Sequence, residues 1–175
     1  MTYYDFVKEY MNVDECKNNK KYSSAGHTFC WSKDDSINAE GLYWFYEGNG
    51  FIIDIHDFYI KEEVIQNSTY SMENYVSICS SYIVSANGEK FNPYQTLTPN
   101  SLYTLDFDNI EDDFLFLLHE NSYYLTVSVG FKRELLEKHL SSINIDLESF
   151  YRALLQTNQI ILTKSLEKVA MEILN

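Results

Sequence analysis

Residues 41–60 read GLYWFYEGNGFIIDIHDFYI, two runs of strand-forming residues on either side of Gly48-Asn49-Gly50. Aromatic and β-branched side chains suit a pleated, half-buried surface. Both glycines accept positive φ, so GNG reads as a tight turn joining two hairpin arms, Gly41–Glu47 and Phe51–Ile60. Successive side chains along a strand point to opposite faces. Asp54, His56 and Phe58 therefore share one face of the second arm, which Ile60 continues, while Asp57 faces the other way. Trp44 and Tyr46 share one face of the first arm.

The same two-residue period continues outward from this hairpin. Thr28–Trp31, Tyr75–Ser85, Leu102–Phe107, Phe114–His119 and Tyr123–Val129 all read as strands. Asn87-Gly88, Asn92-Pro93 and Thr98-Pro99-Asn100 mark loops between them. Val76, Ile78, Tyr82 and Val84 fall on one strand face, and Tyr103, Leu105 and Phe107 on another. Short strands without intervening helices argue for an antiparallel sandwich or barrel over residues 27–130. Residues 1–26 are polar and read as an N-terminal arm, with a short helix over Tyr3–Met11 where Phe6, Val7 and Tyr10 fall at helical spacing.

At Gly130 the period changes to 3.6. Phe131, Leu135, Leu136 and Leu140 define one helical face. Asp146 reads as the N-cap of a second helix carrying Leu147, Phe150, Tyr151, Leu154 and Leu155. Leu162, Leu166, Val169 and Ile173 follow at heptad-like spacing and are the expected dimer face. The stripe runs to Asn175 without a capping tail, so the chain is expected to be cut from a longer polypeptide.

The 175 residues carry 13 Lys+Arg against 26 Asp+Glu, a net charge of −13. Phosphate backbones need cations, so nucleic-acid binding by this chain alone is disfavoured. Residues 1–130 hold 7 basic and 20 acidic side chains, and residues 131–175 hold 6 of each, so the excess belongs to the strand region. Cys16, Cys30 and Cys79 are widely spaced, and an odd count argues against a disulfide framework. Nothing resembles a signal peptide or a membrane span, which points to the cytoplasm.

His27, His56, His119 and His139 form no HxH or HxxxH pattern, so no metal or other cofactor is expected. No GxSxG, Cys/His or phosphate-loop motif is present, and no catalytic residue is assigned. With 15 tyrosines, a barrel of this kind can line a pocket with rings and hydroxyls. The expected ligand residues are Trp44, Tyr46, His56, Phe58, Tyr82 and Tyr103.

The order of barrel, then helices, resembles the N-terminal effector-binding and dimerisation region of AraC-family transcription regulators. The likeness is carried by FIIDIHDFYIKEE (51–63), NGEKFNPYQTLTPNSLY (87–103) and YYLTVSVGFKRELLEKHL (123–140). It implies a cupin-like jelly roll followed by C-terminal α-helices. It also implies a small-molecule effector in the barrel, a homodimer through residues 131–175, and DNA contact only through a helix-turn-helix region absent from this chain. The metal-ligand histidines of enzymatic cupins are missing, so the chain is not expected to be an enzyme. The alternatives are a stand-alone cupin enzyme, either an isomerase or a metal-dependent oxygenase, and a structural or interaction module.

Overall fold

The fold is given by a computed structural model. It describes residues 1–11, 13–18, 20–31, 39–67, 72–92, 94–109, 115–156, 168 and 170–174. Helix α1 (Tyr3–Tyr10) leads into strands β1 (Val13–Glu15), β2 (His27–Trp31), β3 (Ala39–Glu47) and β4 (Phe51–Ile60). There follow β5 (Val64–Asn67), β6 (Ile78–Ser85), β7 (Gly88–Phe91), β8 (Gln95–Leu97), β9 (Ser101–Asp106), β10 (Leu115–Leu118) and β11 (Ser122–Phe131). Helices α2 (Arg133–Ser142) and α3 (Leu147–Gln156) come next, and residues 170–174 are helical. The expected antiparallel β architecture with C-terminal helices is therefore what the chain adopts.

The β3–β4 hairpin closes as read. The Gly48 amide donates to the Phe51 carbonyl at 2.9 Å, and Gly50 takes φ +86°. Seven strands pair in the order β1-β2-β3-β4-β11-β6-β9 and four in the order β5-β10-β7-β8, with every pairing antiparallel. Strands β5, β7 and β8 were not expected. They are short and polar, and β7 even carries a buried Lys90, so neither apolar run nor alternation marks them. Asn92, just after β7, supplies a left-handed φ of +63°.

The main core collects Phe29, Tyr43, Phe45 and Ile60 from the large sheet and Leu97, Phe116 and Leu118 from the small one. Helix α1 adds Tyr3, Phe6 and Val7 to the same core. Thr2 starts this helix with a capping box: its hydroxyl accepts from the Asp5 amide at 3.2 Å, and Asp5 accepts from the Thr2 amide at 3.1 Å. The arm expected over residues 1–26 thus contributes a helix to the interior and a strand, β1, to the sheet edge.

Cys16 and Cys30 form a disulfide with Cα atoms 5.8 Å apart, which corrects the expectation from cysteine counting. The odd thiol is Cys79. Pairing of β1 with β2 brings Asp14 opposite Cys30, a proximity that spacing along the chain does not reveal.

The C-terminal helices cover the outer face of the large sheet. Leu136 and Leu140 of α2 pack on Ile78, with Leu147 and Phe150 of α3 beside them. Asp146 caps α3 as expected, accepting from the Ser149 amide at 2.8 Å. Helix α2 has no side-chain cap of its own; the Ser77 hydroxyl accepts from the Arg133 amide at 2.9 Å. Of the expected dimer face, Leu162, Leu166 and Val169 lie outside the described residues. Ile173 packs beside Ala170 on Trp44, Ile55, Tyr82 and Val127 of its own sheet. No helix among the described residues is long and apolar enough to cross a membrane.

Candidate functional site

A cavity of about 410 Å³ lies between the two sheets, with Tyr3, Phe6 and Met11 of the N-terminal segment along part of its wall. Small-molecule pockets run from roughly 300 to 1,000 Å³. Antiparallel register determines which side chains reach it. Asp54 on β4 stands opposite Phe45 on β3 and Ser128 on β11, Ser128 opposite Ser81 on β6, and Ser81 opposite Tyr103 on β9. One residue pair along, His56 stands opposite Tyr43 and Thr126. Directly paired residues share a sheet face, so these two transverse rows place a polar band across an otherwise apolar wall.

The band contains one carboxylate–imidazole pair. His56 Nδ1 lies 3.2 Å from Asp54 Oδ1 and 3.4 Å from Thr126 Oγ1. Asp54 is 8% exposed, and its Oδ1 accepts no hydrogen bond from the described residues despite the nearby imidazole. Neighbours two apart on one strand project side by side, so closeness here does not bring the N–H into line. The ring of Tyr43 is 4.8 Å from the His56 ring, and Phe58 and Tyr124 also border it.

The remaining polar groups bond in pairs. The Tyr3 and Tyr43 hydroxyls are 2.6 Å apart, those of Tyr103 and Tyr124 3.1 Å, and those of Ser81 and Ser128 2.8 Å. Burial raises the phenols of Tyr3, Tyr43 and Tyr103 above their usual range and pushes Tyr124 up to about 12. Burial, and then the charge of Asp54, raises the Cys79 thiol as well. At neutral pH the phenols stay protonated as hydrogen-bonding groups and Cys79 stays a thiol, the weakly nucleophilic form. Among the described residues no three His, Cys, Asp or Glu side chains cluster as a metal site.

Three of the expected ligand residues, His56, Phe58 and Tyr103, line the cavity. Trp44, Tyr46 and Tyr82 do not line it: they lie on the opposite face of the large sheet. Trp44 is buried under Ala170 and donates from Nε1 to the Ser23 carbonyl at 2.9 Å. Tyr82 lies in the same cluster and donates to Asn100 Oδ1 at 2.8 Å, while Tyr46 is exposed beside Phe51. The sequence reading missed Tyr43, Tyr124, Cys79, Ser81 and Ser128. The hairpin held the signal for Tyr43: once Asp54 and His56 face inward, their cross-strand partners Phe45 and Tyr43 must follow, leaving Trp44 outside.

No protein-family description and no curated protein matches the chain. A solved structure with some similarity is the cupin_2 domain of an XRE family transcriptional regulator from Enterobacter cloacae. The two share 11% identity, and the match covers 61% of this chain and 95% of that one with a TM-score of 0.32.

Proposed function

We propose that the chain is a ligand-sensing domain of a transcription regulator of the AraC type, binding a small molecule in the cavity between its sheets. The observation that carries this reading is the 410 Å³ cavity between the sheets with its limited polar band. The sequence resemblance of residues 51–63, 87–103 and 123–140 supports the regulator assignment. In this reading an occupant would bear on α1, whose Tyr3 bonds to Tyr43 in the cavity wall. It would alter how the N-terminal segment packs, and through linkage bias the arrangement of a DNA-binding partner domain. Residues 131–175 would join two copies, with Leu162, Leu166 and Val169 at the contact; Ile173 is assigned instead to the chain's own sheet.

The test is a small-molecule library screened by melting temperature. Expected are compounds that raise Tm in proportion to their concentration. The rise should vanish in Cys79→Phe, which fills the cavity, once circular dichroism has shown that variant to be folded. A library without effect on wild type, or one acting equally on both proteins, rejects a sensing cavity. Sedimentation as a strict monomer, unchanged by Leu166→Glu, rejects the dimer.

A further inference from the structure

The polar band restricts what the cavity can accept, provided the cavity is a ligand site as proposed above. Strand β4 carries two aspartates three positions apart, one on each face. Outside, Asp57 Oδ2 accepts from Lys21 Nζ at 2.5 Å and from the Tyr22 hydroxyl at 2.6 Å. Inside, Asp54 Oδ1 is buried and accepts no hydrogen bond from the described residues. A buried carboxylate oxygen without a donor is costly, and a charged donor satisfies it best.

Two further observations point the same way. Among the described residues lining the cavity there is no Lys or Arg, whereas Asp54 and Glu63 are both present. Among the described residues His56 is the only lining group able to carry positive charge, and its nitrogen is not aligned on Asp54. The wall around this pair is aromatic, with Tyr43, Phe58, Tyr103, Phe116 and Tyr124. Ring faces attract cations, most strongly where water is excluded.

We propose that the occupant is a protonated amine on an apolar body, its N–H donating to Asp54 Oδ1 and its body seated among these rings. A quaternary ammonium lacks the required N–H, and a carboxylate meets like charge with no Lys or Arg among the described lining residues.

The test uses matched ligands on the full chain: 2-phenylethylamine, 2-phenylethanol and phenylacetate, titrated by calorimetry at neutral pH. The cyclohexyl and n-hexyl counterparts vary the body. The amine is expected to bind about tenfold or more tighter than the alcohol, the margin of one charge-assisted bond. Phenylacetate is expected to bind weakest. Asp54→Asn, nearly isosteric, should abolish the amine's advantage over the alcohol. If that variant does not fold, the wild-type ranking still decides. An alcohol or carboxylate binding as tightly as its amine overturns the amine assignment but leaves a ligand cavity standing. No binding in any of the three series overturns both.

Discussion

The two faces of the large sheet are built from neighbouring residues and behave differently. On β3, Tyr43 points inward and bonds to Tyr3 across the interior, whereas Trp44 points outward and is sealed under the C-terminal helix. On β6, Ser81 faces the cavity and Tyr82 the dry outer cluster. The outer face is covered by the C-terminal helices. The inner face joins the larger core between the sheets and also holds the cavity's hydroxyls. Stability and, in the proposed reading, binding are thus divided between alternate residues of the same strands.

The sharpest test of this division is truncation. Ile55 is fully buried in the outer cluster, so Ile55→Ala should cost about 3–4 kcal/mol in urea unfolding. Leu105, which borders the cavity, already lacks neighbours on one side, so Leu105→Ala should cost about 2 kcal/mol. Equal losses would mean that the inner face is packed as tightly as the outer.

The N-terminal segment joins the faces: α1 lies inside, while Lys21 and Tyr22 are held outside by Asp57. The Cys16–Cys30 bond, with a sequence separation of 14, closes the loop that carries Lys21 and Tyr22. Replacing both cysteines by Ser should lower stability by about 3 kcal/mol, since a loop of this length gains entropy in the unfolded chain. Tm with and without reductant checks this: wild type should fall to the variant's value on reduction, and the variant should not move. No change in wild type would show that the β1–β2 pairing alone secures the segment.

At the contact between α1 and the inner face, Tyr43→Phe leaves the Tyr3 hydroxyl buried without its partner. It should cost about 1–2 kcal/mol by urea denaturation. A neutral result would indicate that the interior already admits water at this point.

Much of this division was legible before the structure. The alternation in FIIDIHDFYI placed His56 and Phe58 inside and Asp57 outside, and the GNG turn fixed the hairpin. The run LYWFY could not be divided the same way, because both parities are aromatic and both are buried. In β6 the apolar set of Ile78, Tyr82 and Val84 resembled a pocket wall, yet it packs under helices. Where a strand is buried on both faces, the smaller and more polar parity, here Cys79 and Ser81, marks the cavity. The disulfide and the small sheet depend on pairings between segments far apart, which local pattern does not encode.

The smallest expected effect lies on the solvent rim, outside both faces. Hydrogen bonding to Glu63, and to a lesser degree the charge of Glu89, raises the partly buried His119 imidazole above its usual range. A raised folded value means that its contribution is fully present below the unfolded pKa of about 6.5 and is lost as pH rises through the folded value. The urea midpoint of wild type relative to His119→Gln should therefore be furthest ahead under mildly acidic conditions and converge above neutrality. A constant gap would assign the residue a packing role instead.

The place of β11 in the sheet bears on how the molecule is made. Among the described residues it is the last strand, yet it sits inside the large sheet, between β4 and β6. A nascent chain emerging from the ribosome can form the β3–β4 hairpin early, but both faces of its core wait for residues 122–131. Until these arrive, β4 and β6 each present an unpaired, largely apolar edge. Such edges invite pairing with other chains, and non-local pairings form slowly. Production of this protein should accordingly favour slow synthesis or chaperone supply, and truncation ahead of residue 131 should yield aggregate rather than a smaller folded unit.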